Sequence, residues 1–359
     1  EFRRLLGRVD HRADDALRAG VQRLHDRARL AYARLPTENA RQCVFIGTVN
    51  PAAADGYLAS LTGNRRFWPV EVKRIDIEAF RRDRDQLWAE AAAREARGDS
   101  VSLPCAVRGD PDGTPVLLLH GYAGSWLSFA PVLPHLPQTI HAIAPTQRGH
   151  GDASKPASYA IGDFAADAVA TLDALGIARA IIVGHSMGAA VAQRVAIDRP
   201  DRVNGLVLAG AFPTGCGNRT LTALWTDTIA ALTDPIDEAF VWAFLSGTAT
   251  RPVPLGVLES LAEEMRKMPA RVWQAVLRAL LSEDHSAELC RITAPTLLLW
   301  GARDTLAARG DQERLLGAIR SAWLTVYPES GHAPHREEPE RFAHDIAAFV
   351  AARVPVPAA

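Results

Sequence analysis

The chain has 359 residues, of which 48% are hydrophobic, and a formal net charge of -1 at pH 7. This length indicates two domains or one large domain with an addition, and the apolar content suffices for a sizeable core. The near-zero charge gives no reason to expect nucleic acid or a membrane surface as a partner, and no apolar run approaches the roughly 20 residues of a membrane span. The four cysteines are scattered without a CxxC pair, so we expect reduced, mostly structural thiols in a cytoplasmic protein.

The first segment, residues 1–103, is rich in Arg, Asp, Glu and Ala and contains 19 basic and 15 acidic residues. Its patterns predict helices over 15–35 and 77–97, with a strand over 41–50 between them. The small positive excess is typical of a solvated helical face, so contact with DNA is the weaker interpretation.

The pattern changes from residue 104 onward to short apolar runs separated by helical stretches. Continuous apolar runs indicate parallel strands buried on both faces, so we predict a doubly wound α/β sheet. A long helical insertion, about 213–289, interrupts this alternation. The six predicted strands are 116–119, 140–144, 180–183, 205–209, 296–300 and 323–327.

The run IIVGHSMGAA contains a serine, Ser186, with a glycine two places before it and another two places after it. This G-x-S-x-G spacing is typical of a nucleophile elbow, a strained strand-to-helix turn that presents the serine hydroxyl and tolerates only small neighbours. A Gly-Ser turn without a catalytic role is the alternative. The predicted strand before Ser186 and the helical run after it favour the elbow.

A serine nucleophile needs a base, and histidine is the usual one because its pKa lies near neutrality. We predict His332, which follows the last predicted strand on a loop where a parallel sheet presents side chains. His335 is the main competitor for this role. His185 flanks the serine and is expected to point away from it, and His120 is interpreted as shaping a loop.

The base needs an acidic partner, which we expect after the preceding strand. Asp304 directly follows the predicted strand over 296–300. Its alternative role is helix capping, which Asp311 could fill instead. The resulting order Ser186, Asp304, His332 is the Ser…Asp…His order that accompanies this kind of elbow.

Two backbone N–H groups must stabilise the negative charge that develops when a carbonyl is attacked. We predict the N–H of Met187, directly after the nucleophile, and that of Tyr122 in the loop HGYAGSW. Pockets are mostly apolar, and no cluster of Arg or Lys marks an anionic substrate, so we expect a neutral ester of modest size. The expected pocket residues are Trp126, Phe129, Trp225 and Phe244.

Five motifs within 104–352 resemble those of the α/β-hydrolase superfamily, in particular its bacterial esterase-like members with a helical cap. The resemblance implies that the insertion over 213–289 is the cap. Two departures are present: Thr146 and Gln147 precede an arginine-glycine pair where many relatives carry Asp, and only 101–108 remains of an N-terminal hairpin. We therefore expect the sheet to lack its first edge strand. The motifs are HGYAGSW, QRGHGDASKP, GHSMGA, LLLWGARD and SGHAPHREEPERF.

The first segment resembles a different family, the virulence-associated E proteins, which are helicase-like ATPases of phages and genomic islands. Its motifs are similar to the C-terminal part of that family and read RQCVFIGTVN, TGNRRFWPVEV and DRDQLWAEA. The resemblance implies a nucleotide-sensing role for Asn50 and an arginine finger at Arg65 or Arg66. The chain contains no GxxxxGK[ST] loop, on which phosphate binding depends. We therefore interpret 1–103 as a truncated remnant fused to a hydrolase domain at 104–359.

These predictions converge on a serine hydrolase that cleaves small neutral carboxylic esters through an acyl-enzyme, without a metal or organic cofactor. Lactone hydrolysis, C–C bond hydrolysis and perhydrolysis on the same triad are alternatives, because a fold does not select the reaction. A haloalkane dehalogenase is disfavoured, since its nucleophile would be aspartate. Rivals of another class are a nucleotide- or DNA-linked accessory protein and an inactive binding protein. The sequence sets no oligomeric state.

Overall fold

The computed structural model describes residues 25–28, 37–40 and 101–352. The chain divides into two compact units, Glu1–Leu87 and Trp88–Ala359. The predicted elements over 41–50 and 77–97 lie outside the described residues, as do Asn50, Arg65 and Arg66.

The first unit contains a two-stranded antiparallel pair. Strand β1 (His25–Ala28) pairs with β2 (Thr37–Ala40), with His25 opposite Ala40. The predicted helix over 15–35 is therefore wrong at His25–Ala28. Pairing between two backbone segments overrides the local helix propensity there.

The second unit is built on a seven-stranded sheet in the order β3-β5-β4-β6-β7-β8-β9. All neighbouring pairs are parallel except β3 and β5, which are antiparallel at one edge. The prediction of a mostly parallel, doubly wound sheet is confirmed. The strands are β3 (Cys105–Arg108), β4 (Thr114–Leu119), β5 (Ile140–Pro145), β6 (Ala180–His185), β7 (Val203–Ala209), β8 (Thr296–Gly301) and β9 (Ala322–Tyr327).

The central strands lie where the apolar runs predict them, with every bound within two residues. All six residues of β5, of β6 and of β8 are buried, because a parallel sheet covered by helices on both faces exposes neither side to water. Two hydrophobic clusters form the core. Successive side chains along a strand belong alternately to one cluster and to the other. For example, Leu117 and Leu119 belong to one cluster, and Val116 and Leu118 belong to the other.

Nine α-helices accompany this sheet within residues 101–352. Four of them, α3–α6, lie between β7 and β8 and form the insertion that the sequence predicts. The helices are α1 (Ile161–Ala174), α2 (Met187–Asp198), α3 (Arg219–Asp227), α4 (Glu238–Ser246), α5 (Leu255–Arg266), α6 (Ala270–Ser282), α7 (Arg309–Ala318), α8 (Pro334–Glu337) and α9 (Pro339–Ala351).

Local signals explain where the insertion helices begin and which face they bury. The side chains of Asn218 and Asp237 accept hydrogen bonds from Leu221 N (3.0 Å) and Phe240 N (2.9 Å), so they cap α3 and α4. Helix α6 buries residues at three- and four-residue spacing, which is the stripe of an amphipathic helix. The buried residues of α6 are Ala270, Val272, Trp273, Val276, Leu277 and Leu280.

Three of the cysteines lie at the surface. Cys105, Cys216 and Cys290 are exposed, so the expectation of mostly structural cysteines is wrong for these three. No helix in the described part of the chain is long and apolar enough to cross a bilayer.

A buried ion pair ties the loop after β5 to helix α1. The guanidinium of Arg148 donates to both carboxylate oxygens of Asp167 at 2.6 Å, and the two side chains are 10% and 13% exposed. Such a bidentate pair fixes geometry, and removing one partner leaves the other charge buried with weaker compensation.

We predict that Asp167→Ala lowers the free energy of unfolding by about 1.5–3 kcal/mol, because Arg148 loses its two short charged hydrogen bonds and keeps only Asp163 at 3.7 Å and Ser158 O at 3.2 Å. Urea denaturation measures the change. Asp201→Ala is the control, since Asp201 pairs with Arg199 on the surface and solvent screens that interaction. Equal midpoints for the Asp167→Ala and Asp201→Ala variants would contradict this account of the buried pair.

Candidate active site

Ser186 lies on a strained turn between β6 and α2. Its backbone has φ 52° and ψ -115°, a left-handed conformation that a non-glycine residue adopts only where surrounding structure imposes it. Its N–H donates to Ala209 O on the neighbouring strand β7 at 2.9 Å. The turn thus has the strand-before, helix-after context of a nucleophile elbow.

The glycines on either side of Ser186 are required by close backbone approach. A Cβ on Gly184 would lie 2.2 Å from Gly188 O, and a Cβ on Gly188 would lie 2.1 Å from Leu119 O. Both contacts are with backbone atoms, which cannot give way as a flexible side chain can. The steric reason for the G-x-S-x-G spacing is therefore visible in the structure.

The structure brings His332 and Asp304 together. His332 Nδ1 lies 2.8 Å from Asp304 Oδ2, and the Asp304 side chain is fully buried. The other carboxylate oxygen of Asp304 accepts from Leu306 N at 2.8 Å and Ala307 N at 3.0 Å. Because a carboxylate only accepts, His332 is the donor through Nδ1, which leaves its Nε2 as the acceptor nitrogen.

The His332 ring lies beside the strand that adjoins the serine turn. A Cβ on Gly210, the residue after β7, would lie 3.0 Å from the His332 ring. Residue 209, just before it, receives the hydrogen bond from Ser186 N. Ser186, Asp304 and His332 therefore follow β6, β8 and β9 at the carboxyl edge of the same parallel sheet.

The competing candidates occupy other positions. Asp311 Oδ2 accepts from Ala308 N at 2.8 Å at the start of α7, so it has the helix-capping role that was the alternative for Asp304. His335 packs 5.2 Å from Phe129, ring centre to ring centre. His120 accepts from Gln147 N through Nε2 at 2.9 Å, which fits its predicted role in shaping a loop.

Three buried histidines near the site are held in their neutral form. Burial lowers the pKa of His120, His185 and His335 well below the ordinary value, since desolvation disfavours the imidazolium. His185 Nε2 lies 2.8 Å from the backbone O of His332, so it donates its proton there. The residue before the serine thus contacts the histidine loop, a contact that the sequence did not predict.

The two predicted oxyanion donors have different surroundings. Met187 is the first residue of α2, so its N–H has no partner within the helix. Tyr122 N–H forms no hydrogen bond with another group in the described chain. The Tyr122 hydroxyl donates to Trp273 O on α6 at 2.7 Å, and burial raises its pKa well above the ordinary value. The loop after β4 is therefore fastened to the insertion.

The aromatic residues of the insertion pack around Tyr122. Its ring centre lies 5.8 Å from that of Phe244 and 5.3 Å from that of Trp273, both edge to face. Phe240 lies 5.2 Å from Trp273. Trp273 is fully buried, and its indole N–H has no partner among the described residues.

The four predicted pocket residues belong to two hydrophobic clusters. Phe244 and Trp225 pack against the cluster that includes Trp273, and Trp225 also stacks on Arg278 at 4.9 Å. Phe129 and Trp126 belong to the other hydrophobic cluster. Trp126 and Phe129 begin and end a short 3-10 helix, and the pocket role of all four residues stays a prediction.

Residues 101–352 contain no group of three His, Cys, Asp or Glu side chains placed to hold a metal ion. The described groups around Ser186 are histidines, a buried carboxylate and backbone N–H groups. This arrangement can activate a hydroxyl and stabilise an oxyanion using protein atoms alone.

We predict that Gly188→Ala lowers the free energy of unfolding by about 1–3 kcal/mol, because the added methyl group must displace backbone at Leu119. The matched control is Gly162→Ala within α1, where a Cβ meets nothing within 4 Å. That change is expected to stabilise the protein by up to about 1 kcal/mol, since alanine is the better helix former. Thermal or urea unfolding measures both, and similar shifts for the two variants would refute the steric argument.

Comparisons with known proteins agree with this geometry. The model of the Alpha/beta hydrolase family matches residues 116–345, and that of the Virulence-associated protein E-like domain matches residues 6–106. The protein named "Putative carbamate hydrolase RutD" of Variovorax paradoxus (strain S110) is 33% identical over 273 residues, which are 72% of this chain and 98% of that protein.

Two further relatives carry hydrolase names. The pimeloyl-[acyl-carrier protein] methyl ester esterase of Nitrosomonas europaea is 29% identical over 64% of this chain and 93% of its own length. The crystal structure of a hydrolase from Pseudomonas aeruginosa PA01 matches with a TM-score of 0.62 and 26% identity, over 70% of this chain and 95% of that one. The first hundred residues are similar to the virulence-associated E domain, and the chain belongs to the alpha/beta hydrolase family.

Proposed function

We propose that this protein is a serine hydrolase that cleaves small neutral carboxylic esters through Ser186, His332 and Asp304. The observation that carries the proposal is the 2.8 Å bond between His332 Nδ1 and buried Asp304. It leaves Nε2 of His332 free to accept a proton at the sheet edge where the strained turn presents Ser186. The domain division at residue 103, the cap role of 213–289 and a cytoplasmic location belong to the same proposal.

The reaction begins when the Ser186 hydroxyl oxygen attacks the ester carbonyl carbon. His332 Nε2 takes the hydroxyl proton, and the Asp304 carboxylate stabilises the resulting imidazolium and holds the ring orientation. The N–H groups of Met187 and Tyr122 donate to the oxyanion. One such donor typically contributes about 100- to 1000-fold to the rate.

The tetrahedral intermediate collapses when the C–O bond of the leaving alcohol breaks and His332 returns its proton to that oxygen. This step leaves an acyl group on Ser186. Water then attacks the acyl carbon while His332 takes its proton, and the acid leaves as the proton returns to Ser186. These two steps need no oxidant, reductant or cofactor.

The surroundings support a neutral substrate. The aromatic rings of Phe244 and Trp273 pack against Tyr122 of the proposed oxyanion loop, and apolar walls favour uncharged acyl groups. The similarity to an enzyme named as a methyl ester esterase favours ester cleavage. The similarity to a protein named for carbamate hydrolysis makes a carbamate the first comparison substrate, beside lactones, C–C bond substrates and peroxide.

We predict that the protein hydrolyses p-nitrophenyl esters and prefers short acyl chains to long ones. Ser186→Ala and His332→Ala should each lower kcat by roughly a thousandfold or more, because triad members act as a unit. Release of p-nitrophenolate measures the rate, and circular dichroism checks that both variants fold. Full turnover by Ser186→Ala would rule out the proposed nucleophile.

Asp304→Asn should lower kcat by about 10⁴-fold, because the amide no longer selects the productive histidine tautomer. Asp311→Asn is the matched control. It alters a helix cap in the same loop region and is expected to keep turnover near that of the parent protein. The same ester assay compares the two variants. Normal rates in Asp304→Asn would move the acidic role to another residue.

A further inference from the structure

Glu337 is a buried carboxylate outside the proposed triad. Glu337 is 6% exposed. It is the last residue of the short helix α8 and lies five residues after His332. A buried charge is costly unless other groups satisfy it, so its partners indicate what it does. They come from two places far apart in the chain, the loop around His332 and the helical insertion.

The first set of partners flanks His332 on both sides. Gly331 N donates to the two oxygens of Glu337, at 3.0 Å each, and Ala333 N donates to Oε1 at 3.2 Å. The carbonyl of His332 accepts the proton of His185 Nε2 at 2.8 Å. Glu337 therefore binds the N–H groups of the residues before and after His332, and His185 binds the carbonyl of His332 itself.

The second set lies in the insertion, on the link between α4 and α5. Oε2 of Glu337 accepts from Thr250 N at 2.9 Å and from Arg251 N at 2.9 Å. The Thr250 hydroxyl, which has one proton, lies 3.1 Å from this oxygen and 3.0 Å from Glu329 O. The preceding residue, Arg336, donates to the Thr248 hydroxyl at 2.8 Å. One carboxylate thus bonds both the insertion and the histidine loop.

A single carboxylate that bonds two segments of the chain links their positions. Its two oxygens offer about four lone-pair sites, and four backbone N–H groups use them here. Thr250 and Arg251 bond Oε2, which Gly331 N also uses, while Ala333 N bonds Oε1. A displacement of Thr250 and Arg251 therefore pulls on an oxygen that also holds Gly331. The rigid plane of the carboxylate transmits the movement to the backbone that carries the His332 ring.

We propose that Glu337 is a positioning residue that couples the conformation of the insertion to the orientation of His332. The proposal rests on the proposed function, in which His332 is the base. When residues 250 and 251 occupy the position seen here, Glu337 holds the imidazole in its productive orientation. When they move, the histidine loop loosens and turnover falls.

The first test compares Glu337→Gln with Glu338→Gln. An amide in place of the Glu337 carboxylate keeps the shape but has only one acceptor oxygen, and its NH₂ group cannot accept from an N–H donor. The amide can therefore bond the histidine loop or the insertion, but not both. Glu338 is the matched control. Its carboxylate accepts from the Ser330 hydroxyl at 2.6 Å and bonds neither Gly331 N nor Ala333 N. Steady-state kinetics with p-nitrophenyl acetate is the measurement.

We expect Glu337→Gln to lower kcat by about 100-fold, the effect of roughly a 1 Å misplacement of a catalytic group. KM should stay within a factor of about three, because Glu337 contacts no substrate in the proposed mechanism. Glu338→Gln should change neither parameter by as much. Equal losses in the two variants, or a change confined to KM, would overturn the proposal.

The second test acts from the insertion side and removes only a hydroxyl. Thr250→Ala should lower kcat by about 2- to 30-fold, the range found for changes along coupled networks. Thr222→Ala is its control, since the Thr222 hydroxyl bonds only Asn218 O within α3. This pair also keeps the proposal testable if Glu337→Gln does not fold.

A third measurement does not depend on ester hydrolysis. The proton between His332 Nδ1 and Asp304 gives a strongly deshielded proton NMR signal, assigned by its loss in His332→Ala. We expect this signal to shift or broaden in Glu337→Gln and Thr250→Ala and to stay in place in Glu338→Gln and Thr222→Ala. An unchanged signal in the first two variants refutes the coupling. An unmodified protein that hydrolyses no ester refutes the proposed function instead.

Discussion

The site depends on how closely three backbone segments approach one another at Ser186. Strand β6, helix α2 and the end of β4 meet where Gly184 and Gly188 leave no room for a Cβ. This crowding holds Ser186 at a positive φ, a conformation that costs of the order of 1–3 kcal/mol and persists only when its surroundings impose it. Ser186 directly precedes the first residue of α2, so the serine lies at the positive end of the helix dipole.

The loops that carry Asp304 and His332 are held by carboxylates that accept hydrogen bonds from several backbone N–H groups. Asp304 accepts from Leu306 N and Ala307 N while it faces His332. Glu337 does the same for the loop after β9, where it accepts from the N–H groups of Gly331 and Ala333, the residues on either side of the histidine. Because a charged acceptor makes stronger hydrogen bonds than a neutral one, the two loops after β8 and β9 hold their shape without regular secondary structure.

The sheet and the serine turn could be predicted because their signals are local. Apolar runs of four to six residues mark strands buried on both faces, and the predicted runs over 140–144 and 180–183 match β5 and β6 closely. The G-x-S-x-G spacing reports a steric requirement that acts over five residues. These features need no knowledge of distant regions of the chain.

The failures have the opposite character, since each depends on a distant partner. His25–Ala28 lies in a helical pattern but pairs with another strand. Glu337 carries no motif that predicts contacts with residues 250 and 251, because hydrogen bonds between loops leave no periodic trace in a sequence.

The burial of Ser186 has a kinetic consequence. The residue is 9% exposed, and the Tyr122 hydroxyl in the loop after β4 donates to Trp273 O in the insertion. On the proposed cap role of the insertion, its opening admits the ester to the hydroxyl, and lid motions of this kind set the turnover of many enzymes. The rate of opening then sets an upper limit on turnover that faster proton transfer cannot raise. Small and large molecules are discriminated at this entry step, before any bond is broken.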